Sequence, residues 1–183
     1  MKIQFITGNE NKFKEAQQII PGLVQLNIDL PEIQEIDAYE IIKIKLVEAR
    51  KHQKGIFVVE DTSLYLDCLN GLPGPLIKWF EKTIGNDGLY DIAKKYHNYG
   101  AQAKTIVGYS DECGNVEFFE GILDGKIVAP VGKNDFGWSP IFQLNKIGKT
   151  FAQMSAEEKN AISMRQIAFE KLNNFIKNSR KFV

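Results

Sequence analysis

Cysteine and histidine are scarce in this chain: Cys68 and Cys113 are the only cysteines, and His52 and His97 the only histidines. The cysteines are far apart with no C-x-x-C spacing, so they read as free thiols in a reducing compartment. Neither histidine has a partner at metal-ligand spacing, which argues against a zinc site. No apolar run is long enough to span a bilayer, and no apolar segment follows Lys2 as a secretory signal requires. An excess of charge of either sign is also missing. Lys and Arg number 23 and Asp and Glu number 23, whereas a general nucleic-acid binder carries a basic footprint. No internal period or low-complexity stretch occurs. These absences lead to the expectation of a cytoplasmic protein with no membrane and no nucleic-acid partner.

What is present is a core. Hydrophobic residues make up 44% of 183 residues and include 12 Phe, enough for one domain spanning 1–183. Lys2-Ile3-Gln4-Phe5-Ile6 alternates as a strand, and Phe13, Ala16 and Ile20 recur at helical spacing after it. Leu23 to Ile28 is a second strand, Leu30 to Glu35 a loop, and Ala38 to Ala49 an amphipathic helix ending near Gly55. Ile56-Phe57-Val58-Val59 reads as a short strand buried on both faces. This β-α-β-α-β order predicts an α/β fold with parallel pairing at its start. Gly71-Leu72-Pro73-Gly74-Pro75 is a rigid turn before helices at Ile77 to Thr83 and Leu89 to Tyr96. Strands at Ala101 to Tyr109 and Val116 to Val128 flank a hairpin at Asp111 to Asn115. Ser155-Ala156-Glu157-Glu158 has capping-box spacing, and a last helix runs from about Ser163 toward Lys177.

Chemistry concentrates in a few segments. In Ile6-Thr7-Gly8-Asn9-Glu10-Asn11-Lys12, a strand gives way to a Gly turn and a helix that Asn9 can cap, with Lys12 in its first turn. Backbone N–H groups at such a point attract anions, and phosphate binding follows as a hypothesis. An ordinary strand-turn-helix with a surface lysine satisfies the same residues. Glu60-Asp61-Thr62-Ser63 follows the apolar strand directly. Adjacent carboxylates at a buried strand end need a cation or donors, and magnesium combines carboxylate, phosphate and water oxygens. Two hydrated acids at a strand end are the alternative, and Glu32 is a weaker third candidate. Lys12, Lys45, Lys78, Lys159 and Arg165 recur near these motifs; Lys45 sits on the apolar stripe of its helix. The loop Asn134 to Pro140 carries Phe136, Gly137, Trp138 and Ser139, and it either stacks a purine or plugs the core.

With these pieces in order, the chain resembles the inosine triphosphate pyrophosphatase, or Ham1-like, family. The resemblance rests on Thr7-Gly8-Asn9-x-x-Lys12, Leu30-Pro31-Glu32, Val59-Glu60-Asp61-Thr62, Gly71-Leu72-Pro73-Gly74-Pro75 with Ile77-Lys78-Trp79-Phe80, and Phe136-Gly137-Trp138. Glu157-Glu158-Lys159-Asn160 and Ser163-x-Arg165 extend it to the C-terminal part. It implies an elongated, two-lobed α/β fold with a central mixed sheet flanked by helices, a cleft between lobes, and a homodimer. It also implies Mg2+-dependent cleavage of a non-standard purine nucleoside triphosphate (ITP, dITP or XTP) to the monophosphate and pyrophosphate. By position, Thr7, Asn9 and Lys12 would hold phosphates, with Gly8, Glu10 and Asn11 completing that loop. Glu32 and Asp61 would hold magnesium, helped by Glu60, and Asp61 would orient or deprotonate the attacking water. Lys45 and Lys78 would face the triphosphate or the cleft, and Thr62 would contact the substrate. Phe136 and Trp138 would clasp the base over Gly137, with Lys159 and Arg165 completing the pocket.

Two departures fall at the base end. The family pattern Ser-His-Arg is Ser163-Met164-Arg165 here, and Met offers no donor to a 6-oxo base. Met164 is also in register with Ala168, Leu172 and Phe175, as a core residue would be. Ser139 stands where the family carries Asp after the aromatic. These changes keep open a pyrophosphatase of different or relaxed base preference, and a catalytically idle nucleotide-binding protein is the rival from another class.

Overall fold

Alternation in Ile3-Gln4-Phe5-Ile6 and helical spacing after Asn9 build the first layers of the computed structural model, which describes residues 2–132 and 137–179. Its strands are β1 (Ile3–Ile6), β2 (Leu23–Leu26), β3 (Ile56–Leu66), β4 (Pro73–Gly74), β5 (Gly100–Ser110), β6 (Val116–Ile127) and β7 (Phe142–Leu144). Its helices are α1 (Glu10–Ile19), α2 (Ala38–His52), α3 (Ile77–Lys95), α4 (Ala156–Ile162) and α5 (Met164–Ser179). The sheet order is β2-β1-β3-β5-β6-β7, with β4 pairing β3. β1 is parallel to β2 from Ile3 opposite Leu23, and parallel to β3 from Ile3 opposite Ile56 to Phe5 opposite Val58. β4 and β7 pair antiparallel with β3 and β6. The expected mixed α/β sheet is thus present. No helix among the described residues is long and apolar enough to cross a membrane.

The chain divides into two compact units. One comprises Met1–Asp61, Thr105–Gly121 and Met164–Val183. In it, apolar side chains of β1, β3 and β5 pack in two clusters. Phe5, Val58 and Val107 meet Ala16 of α1 and Ala168, Phe169 and Leu172 of α5. Ile6, Phe57, Val59 and Ile106 meet Ile42, Leu46 and Ala49 of α2, and Leu26, Ile28 and Leu30 lie against them. The alternation of Phe57, Val58 and Val59 between clusters fixes which side of β3 each later residue faces. The other unit comprises Thr62–Lys104 and Ile122–Ser163. Its core includes Trp138, Phe142 and Phe151, with ring centroids 5.5–6.1 Å apart.

Three sequence expectations change here. β3 does not stop at Val59 but continues to Leu66, so Glu60 and Asp61 are inside a strand. Parallel pairing with β1 ends at Val58, and antiparallel pairing of Leu64 and Tyr65 with β4 prolongs the strand beyond it. The two helices expected between Ile77 and Tyr96 abut as α3, broken at Gly85 (φ 66°, ψ −173°), a conformation that glycine alone adopts readily. β2 ends at Leu26 rather than Ile28. β7 carries no clear sequence signal and is held by its pairing with β6.

One close approach positions the start of α5. A Cβ at Gly121 of β6 would lie 1.8 Å from the Met164 carbonyl oxygen. Only glycine admits that contact, and it sets the helix that carries Arg165. Gly121→Ala is therefore expected to cost about 3 kcal/mol, the upper end for overpacking, because backbone yields less than a side chain. Differential scanning calorimetry should show a fall of roughly 5–10 °C in Tm. Gly22→Ala, with nothing within 4 Å of its added Cβ, should melt as the parent does.

Candidate active site

Strand β1 delivers Thr7 to the start of α1. The Asn9 N–H donates to Thr7 Oγ1 (3.1 Å), and Asn9 Oδ1 accepts from the Asn11 and Lys12 N–H groups at 3.0 and 3.1 Å. Asn9 caps the helix as its residue type predicts. Gly8 does not adopt a positive φ, and an added Cβ would meet nothing nearer than Asn27 Oδ1 at 3.4 Å. Its small size leaves open space at the strand end rather than enabling a left-handed turn.

Lys12 points from the first turn of α1 to Glu60, with Nζ 2.9 Å from Oε1. The Glu60 side chain is 2% exposed, and Arg165 of α5 donates to both its oxygens, from Nε at 2.8 Å and Nη2 at 2.9 Å. Arg165 Nη1 donates at 2.6 Å to Glu15 Oε2, one helical turn beyond Lys12. Two carboxylates and two cations balance. Burial alone would push the Glu60 carboxyl up, but Arg165 and then Lys12 outweigh it and hold it at about 2. Glu60 and Glu15 in turn keep Arg165 charged against its own burial. Glu15 went unnoticed in the sequence; its spacing from Lys12 was the available signal.

Glu60 shares the Val58 side of β3, as its bonds to α1 and α5 require. Alternation turns Asp61 to the Phe57 and Val59 side, where α2 packs. Asp61 is half-buried. Lys45 is half-buried on α2, and Leu30 anchors the chain leading to exposed Glu32 against the same cluster. Asp61 therefore belongs to one side of β3 and Glu60 to the other. No group of three or more His, Cys, Asp or Glu able to hold a metal occurs among the described residues. Oxygen donors still suit magnesium, which needs only one or two carboxylates beside phosphate and water. Asp61 and Glu32 carry donors of that type, and Glu60 is bound to two cations.

The expected base-end residues are mostly inside. Met164 is 5% exposed, and with Ala168 and Leu172 it forms a buried row on α5. Arg165 spends three of its five N–H donors on Glu60 and Glu15. In the other unit, Trp138 is buried against Phe142 and Phe151, and Ser139 is buried with its carbonyl accepting from the Ala152 N–H (3.2 Å). Trp138 thus fills the core under the turn, the alternative left open by the sequence. Phe136 lies outside the described residues. Lys78 is exposed in the first turn of α3, Thr62 half-buried on β3 and Lys159 half-buried on α4. Two residues without a sequence signal stand beside Gly137. Asn86 Nδ2 donates to the Gly137 carbonyl (3.0 Å), and Glu81 Oε1 would lie 3.2 Å from a Cβ there. Burial pushes the Glu81 carboxyl up. The cysteines are free thiols, as expected.

The profile of the Ham1 family matches residues 3–175. A Schizosaccharomyces pombe protein named inosine triphosphate pyrophosphatase is 40% identical over 182 residues, covering 97% of this chain and 96% of its own. One of the same name from Pyricularia oryzae is 42% identical over 174 residues, covering 93% and 90%. Among solved structures, the Staphylococcus aureus Ham1 protein superposes with a TM-score of 0.85 at 25% identity, covering 97% of this chain and 100% of that one.

The buried network sets an acid limit on stability. A carboxylate whose folded value is depressed contributes stability that is complete above its unfolded value and lost as pH falls through the folded one. Replacing Glu60 by Gln is expected to cost about 3–5 kcal/mol at pH 7, the range for breaking a buried pair. That difference should shrink as pH falls from 4.5 toward about 2. Urea denaturation of both forms across this window checks it; a difference constant down to pH 2 would contradict the assignment.

Proposed function

The chain belongs to the Ham1 family, and from that premise we propose that it hydrolyses non-standard purine nucleoside triphosphates such as ITP, dITP and XTP to the monophosphate and pyrophosphate. The observation that carries this reading is the division of labour on β3. Glu60 is neutralised by Arg165 and Lys12, and the next residue, Asp61, is half-buried on the opposite side. A strand that holds one acid against two cations and turns the next to its other side suits a site that activates water beside a polyanion.

In this reading, water oxygen attacks the α-phosphorus, the bond from that phosphorus to the bridging oxygen breaks, and pyrophosphate leaves. Asp61 orients the water and accepts its proton. Magnesium, held by Asp61 and Glu32, would neutralise phosphate charge and lower the pKa of bound water. Thr7, Asn9 and Lys12 bind phosphate oxygens, with open space at Gly8 and with Glu10 and Asn11 in the same turn. Lys45, Thr62 and Lys78 add donors for the triphosphate. Glu60 and Arg165 act as positioning residues that fix Lys12 and α5, and Lys159 lies toward the base. The chain is read as cytoplasmic, in keeping with two free thiols. It is also read as a homodimer, as the resemblance to the family implies.

A second reading, the same reaction with a relaxed base preference, is favoured by one observation. Met164 and Ser139 are both buried, and part of the polar readout expected there is missing: Met164 has no donor, and Ser139 offers a hydroxyl in place of a carboxylate.

Pyrophosphate release from ITP, XTP, dITP, GTP and ATP with magnesium tests the activity directly. Asp61→Asn should lower kcat for ITP by at least about a hundredfold, the low end for losing a general base. Its Tm should stay within a few degrees of the parent. Near-normal turnover would remove Asp61 from the mechanism.

A further inference from the structure

Alternation on β2 asks for an apolar residue at position 25. Leu23 is buried with Phe5 against α1, and Leu26 and Ile28 lie against the α2 cluster on the other side. Gln25 shares the side of Leu23 and stands opposite Phe5 in register, yet it is polar and half-buried. Its amide is in use: Nε2 donates to the Thr7 carbonyl at 2.9 Å. That carbonyl can only accept, which fixes the orientation of the amide.

A side chain is needed there because the ladder stops. Ile6 opposite Leu26 is the last pair of β1 and β2. The Thr7 N–H still reaches the Leu26 carbonyl (3.3 Å), but no backbone N–H among the described residues reaches the Thr7 carbonyl. Continued parallel pairing would supply it from the Ile28 N–H, and β2 ends before that residue. Gln25 replaces the missing rung.

The consequence falls on the next donor. The Thr7–Gly8 peptide is trans, so its C=O and N–H point in opposite directions. A carbonyl held toward β2 therefore aims the Gly8 N–H away from β2. Gly8 is exposed, and its N–H has no partner among the described residues. Thr7 Oγ1 accepts from the Asn9 N–H, which leaves its own proton to donate. The Asn11 and Lys12 N–H groups are spent on the Asn9 cap, so the Gly8 N–H and the Thr7 hydroxyl are what this turn offers a ligand. Glycine at position 8 would permit the flipped peptide as readily as this one. A flip would exchange the N–H for a carbonyl oxygen, which repels an anion.

We propose that Gln25 is a positioning residue of the phosphate end, locking the Thr7–Gly8 peptide so that the Gly8 N–H stays turned to the phosphate oxygens of the substrate. This rests on the pyrophosphatase reading. Gln25 acts through the Thr7 carbonyl and not by contact with the substrate.

The test compares the parent with Gln25→Met, which keeps the side-chain length and loses the donor, and with Gln25→Glu, which sets a carboxylate against the Thr7 carbonyl. Gln17→Met is the control, because Gln17 Nε2 holds the Leu23 carbonyl (3.4 Å) at the other end of β2. With ITP and magnesium, Gln25→Met should raise KM about tenfold, the scale of one lost hydrogen bond, with kcat within about threefold. Gln25→Glu should raise KM further, and Gln17→Met should leave it unchanged. The rise in Tm on adding inorganic pyrophosphate with magnesium should shrink in both Gln25 variants. A KM within about twofold of the parent in both overturns the proposal, and a lower Tm beside it assigns Gln25 to holding the sheet edge. An equal rise in KM in Gln17→Met overturns it too, because any loosening of β2 would then suffice. If neither Gln25 variant folds, the residue is structural and the proposal falls. If the parent hydrolyses no nucleoside triphosphate, the pyrophosphatase reading fails and the pyrophosphate-induced rise decides. A rise in the parent that is lost in Gln25→Met supports the proposal; no rise, or an equal one in both, overturns it.

Discussion

Arg165 and Glu60 are 105 residues apart in sequence, yet two charge-assisted hydrogen bonds join them inside the protein. Taking both charges out of water is expensive, and only a complete set of partners makes it tolerable. Lys12 and Glu15 complete that set from α1. The pair therefore ties β3, α1 and α5 to one point, and each element can hold only one position relative to it. Gly121 is part of the same constraint, since without its close contact to the Met164 carbonyl the Arg165 side chain would start from elsewhere.

From this anchor the arrangement of the phosphate end follows. Once Glu60 faces α1 and α5, strand alternation sends Asp61 to the side of α2. Lys45 is carried by the same helix. A pair of adjacent acids is thus divided between two sides of the strand, Glu60 bound to Arg165 and Lys12 and Asp61 on the side of α2. Their adjacency in sequence suggested a shared metal site, but adjacency in a strand means opposite faces. The residues that the family resemblance assigns to the base are governed by packing instead, Met164 in one unit and Trp138 and Ser139 in the other each being drawn into the interior.

Local signals were legible. Asn9 and Ser155 cap their helices through the bonds their side chains predict, the latter with Glu158 returning the bond to Ser155 N–H. The row Met164, Ala168 and Leu172 was equally clear from its helical spacing. Long-range pairings were not. The Ile56-Phe57-Val58-Val59 run gave no sign that β3 continues to Leu66, because its partners β4 and β5 come from later in the chain. Glu15 looked like any helix acid, and Arg165 is what distinguishes it. Glu81 and Asn86 carried no sequence signal, because what marks them is one buried oxygen each without a partner among the described residues. Gly8 invited a conformational explanation, whereas its backbone needs none.

The central claim is that the Glu60–Arg165 pair acts as one unit and that the phosphate end depends on it. A double-mutant cycle with Glu60→Gln, Arg165→Met and both together, read as kcat/KM for ITP, tests it most directly. The account predicts that each single variant loses about as much as the double, with a coupling of roughly 1–3 kcal/mol. Losses that simply add, or single variants that keep wild-type kcat/KM, would contradict it.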